Sequence, residues 1–298
     1  NIPALEANVY NITTLVQSPT GDTFASSPSG FVSLIRRLDT KGIIHDYMDT
    51  AHKKYLESIA NSKYKGLVQT GAVAILTQFS DIVFDPKGNL FISDRMNHQI
   101  RKIDTKGNIT TIAGTGDSDY YGDGGPALDA AFRDPNSMAV DKEGNIFIAE
   151  SANNRIRKID TKGIVTTIAG NGEHVDSGDG GPALEAGIRS MDDITFSPDG
   201  ELYILGTNTH KVRKITKDGK IVTVVGTGYA GFFGDGGPAI KAMLKNPAAI
   251  IFDSKGSLFI SDMGSNRIRK VDTNGTITTF AGSGSFGWAR TGEPVEIY

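Results

Sequence analysis

The chain has 298 residues, of which 38% are hydrophobic and 22% charged, with a formal net charge of −3. This composition is ordinary for a globular protein that buries a core, and the slight acidity gives no basic field to attract nucleic acid or an anionic membrane. The absence of cysteine excludes disulfides, thiolate metal sites and thiol catalysis, and no apolar run approaches the roughly 18 residues of a membrane span.

The N-terminal stretch, 1–78, is the least regular part of the chain. A turn signal ends at Gly21 and the next comparable signal ends at Gly88, whereas the later signals follow one another at a shorter, constant interval. Most of the excess in this first interval lies within 46–78, where Ala51–Ala60 has the pattern of a helix. The excess is too short for another sheet, so we expect a helical insertion in the first unit.

The stretch 135–170 defines the repeating unit. Asp141-Lys142-Glu143-Gly144 is the signature of a tight turn, with glycine where a positive φ is expected. Short runs rich in β-branched and aromatic residues flank such turns and predict strands. The four predicted strands are Ser137–Val140, Asn145–Ala149, Arg155–Ile159 and Ile164–Ala169. A four-stranded sheet of this size must pack against its copies to bury its apolar sides.

Two motifs repeat with this unit. The segment Gly-Asp-Gly-Gly-Pro-Ala begins at Gly122, Gly178 and Gly234, which are equally spaced. The run Ile-Arg-Lys-Ile and its variants keep the same period. The turn glycines that count the units are Gly21, Gly88, Gly144, Gly200 and Gly256. A fixed period of this size is typical of propellers, solenoids and repeat arrays, and the count predicts five units.

Both ends of the chain fall at the same phase of the repeat. Pro3–Ala7 matches the residues that follow the glycine-rich segment, and Pro294 lies as far beyond Gly282 as Pro126 lies beyond Gly114. An open solenoid needs polar capping units, whereas a closed ring does not. We therefore expect an all-β fold, a single-domain β-propeller over residues 1–298 with five four-stranded antiparallel blades.

The repeat resembles the NHL-repeat family of β-propellers. The resemblance is carried by Gly144, Asn145, Glu150 and the run from Asn153 to Gly163, followed by the Gly-Asp-Gly-Gly-Pro-Ala segment. It covers nearly the whole chain and is similar above all to bacterial, often secreted, members that repeat this segment. The resemblance implies six blades as the alternative to five. It also implies an extracytoplasmic location after removal of a signal peptide. Unit one lacks the segment, and unit four has Gly206 where other units have an acid.

The connections between units, here called joints, vary while the frame repeats. Variable loops on a rigid scaffold are where recognition usually occurs. The joint side chains predicted to bind a ligand are Tyr120, Tyr121, His174, Tyr229, Phe233 and Trp288. The alternative is that these aromatic side chains pack under their own loops as small satellite cores.

Three units also pair an acid with an arginine at a fixed spacing across one hairpin, namely Asp94 with Arg101, Glu150 with Arg157, and Asp262 with Arg269. A catalytic interpretation would make these carboxylates a ring of acids at a channel mouth. The structural interpretation is that they cap turns or pair with the arginines. Repetition in several units favours the structural interpretation, because chemistry rarely needs one residue in every blade.

Three features of the sequence bear on whether the protein holds a cofactor or a metal ion. Gly226–Gly231 fits the dinucleotide pattern but opens no helix, and no P-loop or nucleophile elbow is present. Calcium at the joint aspartates Asp123, Asp179 and Asp235 is the alternative to their role as turn residues. His98 and His210 occupy equivalent positions and are the metal candidates. We expect no cofactor.

Taken together, the sequence predicts a non-catalytic, monomeric binding module that recognises a glycan, peptide or protein partner through its joints. The rival hypothesis is a metal-dependent lyase or hydrolase with its site at the channel mouth, which the family resemblance implies. A third hypothesis, RNA binding as the resemblance to some animal NHL proteins implies, would require a basic face that the joints lack.

Overall fold

The computed structural model describes residues 2–3, 14–29, 32–41, 43–46 and 79–285. The predicted helix at Ala51–Ala60, the predicted ligand residue Trp288 and the terminal stretches on which the ring prediction rests, apart from Pro3, lie outside the described residues.

The described strands form five sheets, each an antiparallel meander in which consecutive strands of a blade are neighbours. Blades 1 and 2 contain β1 (Ile2–Pro3), β2 (Thr14–Gln17), β3 (Thr23–Ser29), β4 (Val32–Leu38), β5 (Ile43–Asp46), β6 (Asp81–Phe84), β7 (Leu90–Asp94), β8 (Gln99–Ile103) and β9 (Ile109–Ala113). Blades 3 and 4 contain β10 (Pro135–Val140), β11 (Ile146–Glu150), β12 (Arg155–Ile159), β13 (Val165–Ala169), β14 (Asp193–Phe196), β15 (Leu202–Gly206), β16 (Lys211–Ile215) and β17 (Ile221–Val225). Blade 5 contains β18 (Gly237–Pro238), β19 (Ala249–Phe252), β20 (Leu258–Asp262), β21 (Arg267–Val271) and β22 (Thr276–Ala281). The fold class is therefore confirmed as all-β, a β-propeller of five blades.

The helices in the described part of the chain are single 3-10 turns. They span Arg95–Asn97, Ala127–Asp129, Ala183–Glu185, Ala239–Lys241 and Met263–Ser265. None of the described helices is both long and apolar enough to cross a membrane.

The hairpin turns follow from an aspartate and a glycine at fixed positions. The Asp85 carboxylate accepts hydrogen bonds from the N–H of Lys87 at 2.9 Å and of Asn89 at 2.8 Å. Gly88 closes the turn with φ of 85°, a conformation that glycine adopts without a Cβ penalty. The predicted turn chemistry is thus confirmed at this position.

Two sheets hold a fifth strand that the sequence pattern does not predict. In blade 5 the additional strand is β18, which lies beside β22 with Gly237 opposite Ile277. In blade 1 it is β1, which lies beside β5. The glycine-rich segment therefore runs along the outer edge of the blade that follows it, and it satisfies backbone groups that an edge strand would expose.

The chain divides into two compact units, Asn1–Ile146 with Ile159–Thr166 and Phe147–Lys158 with Thr167–Tyr298. In the first unit an apolar core lies between blades 1 and 2 and includes Phe24, Ile35, Ile82 and Ile92. In the second unit an apolar core lies between blades 4 and 5. Adjacent blades bury their apolar faces against each other, as a sheet of four short strands requires.

An edge-to-face aromatic pair recurs between adjacent blades. The ring centroids are 4.7–4.9 Å apart in the three pairs, which are Phe24 with Phe84, Phe147 with Phe196, and Tyr203 with Phe252. This geometry places the positive edge of one ring against the negative face of the other. The lysine of the third strand covers the same ring in blade 4, where Lys214 Nζ lies 5.9 Å from the centroid of Tyr203.

Candidate interaction surface on the joints

Three joints connect the last strand of one blade to the first strand of the next: joint A (114–134), joint B (170–192) and joint C (226–248). Each begins with the same backbone bond. In joint B the Gly170 N–H donates to the Ala183 carbonyl at 2.9 Å, and the corresponding bonds in joints A and C measure 2.9 and 3.0 Å. The joints therefore leave the frame in one conformation and differ in the side chains they present.

Joint A presents two tyrosines whose hydroxyls are held by the loop itself. The Tyr121 hydroxyl donates to the Asp117 carboxylate at 2.8 Å, while the residue is 42% exposed. The Tyr120 hydroxyl donates to the Asp123 carboxylate at 3.2 Å, and the residue is half-buried. Tyr120 thus fits the satellite-core alternative, whereas Tyr121 keeps an accessible face.

Joint B presents His174 on the surface, tied to a buried asparagine. The Asn154 amide nitrogen donates to the Gly172 carbonyl at 3.2 Å, which leaves the amide oxygen as the acceptor for His174 Nδ1 at 3.1 Å. Nδ1 of His174 therefore donates to the amide oxygen in this contact. Next to it Val175 is 45% exposed, an apolar side chain that the sequence-based prediction did not include.

Joint C presents the most exposed aromatic side chains of the three joints. Tyr229 is 73% exposed and Phe233 is 66% exposed. Phe232, which was not predicted, is partly covered, because the Arg267 guanidinium lies 3.8 Å from its ring centroid. In the described part of the chain, no hydrogen bond or ring contact links His174 of joint B to Tyr229 or Phe233.

The backbone of joint C is fixed by tertiary hydrogen bonds. The Met243 N–H donates to the Phe233 carbonyl at 3.1 Å, and Arg269 Nη2 donates to the same carbonyl at 3.4 Å. The Gly231 N–H donates to the Leu244 carbonyl at 3.0 Å. Tyr229 and Phe233 are therefore exposed on a loop that is already ordered.

The acid–arginine pairs within blades are structural, as predicted. Arg101 Nε lies 3.1 Å from the Asp94 carboxylate, and Arg157 Nη1 lies 3.1 Å from the Glu150 carboxylate. Both acids are fully buried. Burial raises the pKa of Asp94, while hydrogen bonds from Asn97 and Arg101 act in the opposite direction.

A second set of ion pairs, missed by the sequence analysis, anchors the joints. In blade 4, Arg213 donates through Nε to the Asp179 carboxylate at 2.8 Å and through Nη1 to the Asp176 carboxylate at 3.0 Å. In blade 5, Arg269 Nη2 donates to the Asp235 carboxylate at 2.7 Å. The joint aspartates considered for calcium in the second unit are thus ion-paired with third-strand arginines. No sequence signal marks these pairs beyond the period that both partners share.

The two histidines considered for metal binding have the same structural role, which is to accept a backbone N–H from a joint. His98 Nδ1 accepts the N–H of Asp134 at 3.4 Å, and His210 Nδ1 accepts the N–H of Asn246 at 3.2 Å. Both histidines have a left-handed backbone, with φ of 54°. Within the described residues, no three His, Asp or Glu side chains lie close enough together to hold a metal ion.

Each of the two compact units also has a groove at its hairpin turns, away from the joint side chains. The groove in the second unit has a volume of about 560 Å³ and is lined in part by Tyr203, Phe252, Lys255 and Asp272. The groove in the first unit has a volume of about 270 Å³ and is lined in part by Phe91. Neither groove is lined by a side chain that the sequence analysis predicted to bind a ligand.

Comparison with known proteins identifies the repeat. The model of the teneurin NHL domain matches residues 115–177 and 228–295. The chain is 27% identical over 298 residues to Teneurin-m of Drosophila melanogaster and 29% identical over 280 residues to Teneurin-4 of Homo sapiens. These alignments include 91% and 87% of the chain.

The chain belongs to the NHL-repeat β-propellers. It spans 10% of the length of Teneurin-m and 9% of that of Teneurin-4, so the similarity concerns one domain of those long proteins. The NHL relatives named here are animal proteins, and the bacterial and secreted character expected from the glycine-rich segment stays a prediction.

Solved structures share the fold of this NHL propeller at low sequence identity. An auxiliary nutrient binding protein from Bacteroides thetaiotaomicron has a TM-score of 0.62 at 14% identity, covering 92% of this chain and 60% of its own. Virginiamycin B lyase from Staphylococcus aureus has a TM-score of 0.52 at 18% identity, covering 90% of this chain and 69% of its own. At this identity the likeness concerns the fold alone.

Proposed function

We propose that this NHL propeller is a non-catalytic interaction module that binds a protein partner through its joints, with Tyr229 and Phe233 of joint C as the principal contacts. The observation that carries the proposal is their exposure, 73% and 66%, on an ordered loop. Exposed aromatic side chains are enriched at protein interfaces and supply much of the binding energy there.

The order of joint C supports a recognition role. Because its backbone is already bonded to Met243, Leu244 and Arg269, the loop loses little conformational entropy when a partner binds. An aromatic side chain that packed under its own loop would be covered. Phe232 is partly covered, by Arg267 of the following blade, whereas Tyr229 and Phe233 stay exposed.

The charge of the joints indicates the chemistry of the partner. Joints A and B each contain five acidic residues and one basic residue, a net charge of −4, whereas joint C contains one acid and two lysines, a net charge of +1. The acid of joint C, Asp235, is neutralised by Arg269. Joint C is therefore complementary to a partner surface on which acidic groups border an apolar patch. Tyr120, Tyr121, His174 and Trp288 belong to the wider predicted surface, and glycan or peptide ligands, monomeric state and an extracytoplasmic location stay predictions.

A peptide array and a glycan array, each probed with the labelled chain, test the proposal. The double variant Tyr229→Ser/Phe233→Ser should lose the array signals while its melting temperature stays within about 2 °C of the parent, because exposed side chains contribute little to stability. The matched control Val175→Ser, an exposed apolar side chain of joint B, should keep the signals. Retained signals in the double variant, or its unfolding, would contradict the proposal.

A further inference from the structure

The outer edge of blade 2 differs from those of blades 3, 4 and 5. In the latter blades a Gly-Asp-Gly-Gly-Pro-Ala segment pairs with the fourth strand. The repeated bond joins the third residue of the segment, a glycine N–H, to a strand carbonyl: Gly124 to Val165 at 2.8 Å, Gly180 to Ile221 at 2.7 Å and Gly236 to Ile277 at 2.8 Å. The corresponding residue of blade 2 is Ile109 in β9.

The backbone groups of Ile109 point outward. The Asp104 N–H donates to the Asn108 carbonyl at 3.0 Å, so the next pair in the ladder, Ile103 with Ile109, is a non-hydrogen-bonded pair. The N–H and C=O of Ile109 are therefore directed away from β8. In the part of the chain that the structure describes, no group bonds to either of them. Ile109 is half-buried, whereas its counterparts Val165, Ile221 and Ile277 are fully buried.

Blade 2 also contains the two side chains that, in blade 5, donate hydrogen bonds to the aspartate of the segment. In blade 5 the Asp235 carboxylate accepts from Arg269 at 2.7 Å and from the Thr279 hydroxyl at 2.6 Å. The residues at the same repeat positions in blade 2 are Arg101 and Thr111. There Arg101 donates to the Thr111 hydroxyl and to the buried Asp94.

The chain's own sequence does not supply this aspartate. In blades 3, 4 and 5 the segment begins at a constant offset before the turn glycine, as Gly122 does before Gly144. The same offset before Gly88 falls on Gly66-Leu67-Val68-Gln69-Thr70-Gly71, where Leu67 replaces the aspartate and Thr70 the proline. This stretch lies outside the described residues.

We propose that the outer edge of β9 is a docking site for an extended, glycine-rich peptide of the Gly-Asp-Gly-Gly-Pro-Ala type, supplied by a partner protein. The peptide adds a short strand to blade 2, with its backbone bonded to Ile109 and its aspartate paired with Arg101 and Thr111. Edge addition of this kind is a recurrent mode of peptide recognition. A second copy of the chain is a poor donor, because its own segments in blades 3, 4 and 5 already pair with their blades.

The probe for this site is a synthetic peptide with the sequence of residues 122–129, acetylated and amidated, titrated into the full chain. In the free protein we expect the Ile109 amide to exchange with solvent much faster than the Val165 and Ile221 amides. Saturating peptide should shift the amide signals of Ile109 and Thr111 and slow the exchange of Ile109. An asparagine in place of the peptide aspartate should weaken binding roughly tenfold or more, because a charge-assisted bond is lost.

Two variants of the chain and one modified peptide make the test decisive. Ile109→Pro removes an outward N–H without loss of a ladder bond, so it should abolish peptide binding. Its melting temperature should fall less than that of Ile221→Pro, because it disturbs only the packing of the half-buried Ile109 side chain against the core of blades 1 and 2. The matched variant Ile221→Pro removes an N–H that donates to Gly181, and it should lower the melting temperature. A peptide N-methylated at the glycine that corresponds to Gly124 should not bind the unaltered chain.

Three outcomes would overturn the proposal. One is an Ile109 amide that is as protected in the free chain as that of Val165, which would mean that the chain covers its own edge. The others are unchanged affinity for the N-methylated peptide or for Ile109→Pro. Peptide binding should persist in Tyr229→Ser/Phe233→Ser, because the β9 edge does not involve joint C.

Discussion

The Asp235 carboxylate of joint C accepts a 2.7 Å hydrogen bond from Nη2 of Arg269, which lies in the third strand of blade 5. Arg269 is fully buried, and its Nη1 lies 3.6 Å from the buried Asp262. One arginine therefore joins the acid of its own blade to the acid of the preceding joint. The carbonyl of Phe233 accepts from the same guanidinium, so this pairing also holds the loop that presents the candidate contacts.

The two acids around Arg269 should contribute unequally to stability. Asp262→Ala leaves the Lys245 N–H and the Ser265 hydroxyl without their 2.6 Å acceptor, in addition to breaking a buried ion pair. We expect a loss of about 3 kcal/mol in the free energy of unfolding, measured by urea denaturation. Asp235→Ala should cost about 1 kcal/mol or less, because that carboxylate is 35% exposed and solvent screens it. Equal losses would contradict this account.

The glycines of the joint segment are required for different reasons. Gly124 has φ of 84°, and a Cβ there would meet nothing within 4 Å. Gly122 also has a positive φ, and a Cβ there would lie 2.6 Å from the Cα of Ala130. Gly124→Ala should therefore cost about 1–2 kcal/mol from backbone strain alone, and Gly122→Ala distinctly more. Thermal denaturation of the two alanine variants checks which of them is less stable. Gly124→Asn should be more stable than Gly124→Ala, because asparagine tolerates the left-handed conformation better.

His210 should be replaceable by asparagine but not by valine. Its backbone is left-handed, and asparagine occupies the equivalent left-handed position at Asn154 and Asn266. His210→Asn should change the unfolding free energy by less than about 1 kcal/mol, whereas His210→Val should cost about 1–3 kcal/mol, because a β-branched residue is strained at positive φ and cannot accept the Asn246 N–H. A stable His210→Val variant, as judged by urea denaturation, would contradict the structural role of this residue.

Two aspartates of blade 2 should titrate on opposite sides of the ordinary aspartate pKa. The side-chain hydrogen bond from Asn108, followed by its backbone N–H, lowers the pKa of Asp104, whereas burial raises the pKa of Asp94. The contribution of Asp104 to stability is present above the unfolded pKa and is lost as the pH falls through the folded value. The contribution of Asp94 to stability changes with pH in the opposite direction. Its charged form is disfavoured in the fold, so protonation at low pH relieves that penalty. Carboxyl-carbon NMR titration should give a higher midpoint for Asp94, and the reverse order would refute the assignment.

The contacts that the sequence analysis missed have a common cause. Phe232 and Phe233 carry the same variable-loop signal, yet an arginine partly covers Phe232, which is 42% exposed against 66% for Phe233. Arg267 belongs to the third strand of the following blade, so no sequence pattern within the joint predicts its contact with Phe232. The same limit applies to His98 and His210, whose equivalence was visible while their backbone partners were not.

The sequence alone determined the repeating unit and favoured five copies over six, a count that the structure confirms. A constant period, strands of alternating or β-branched residues and Asp-x-x-Gly or Ser-x-x-Gly turns are local signals, and their repetition makes the unit recognisable. Only the tertiary structure decided which groups meet: the joint aspartates with third-strand arginines, the glycine-rich segment with the outer edge of the following blade, and the aromatic side chains that stay exposed. These are contacts between residues far apart in the chain, and their energies depend on burial and orientation, which a one-dimensional pattern does not encode.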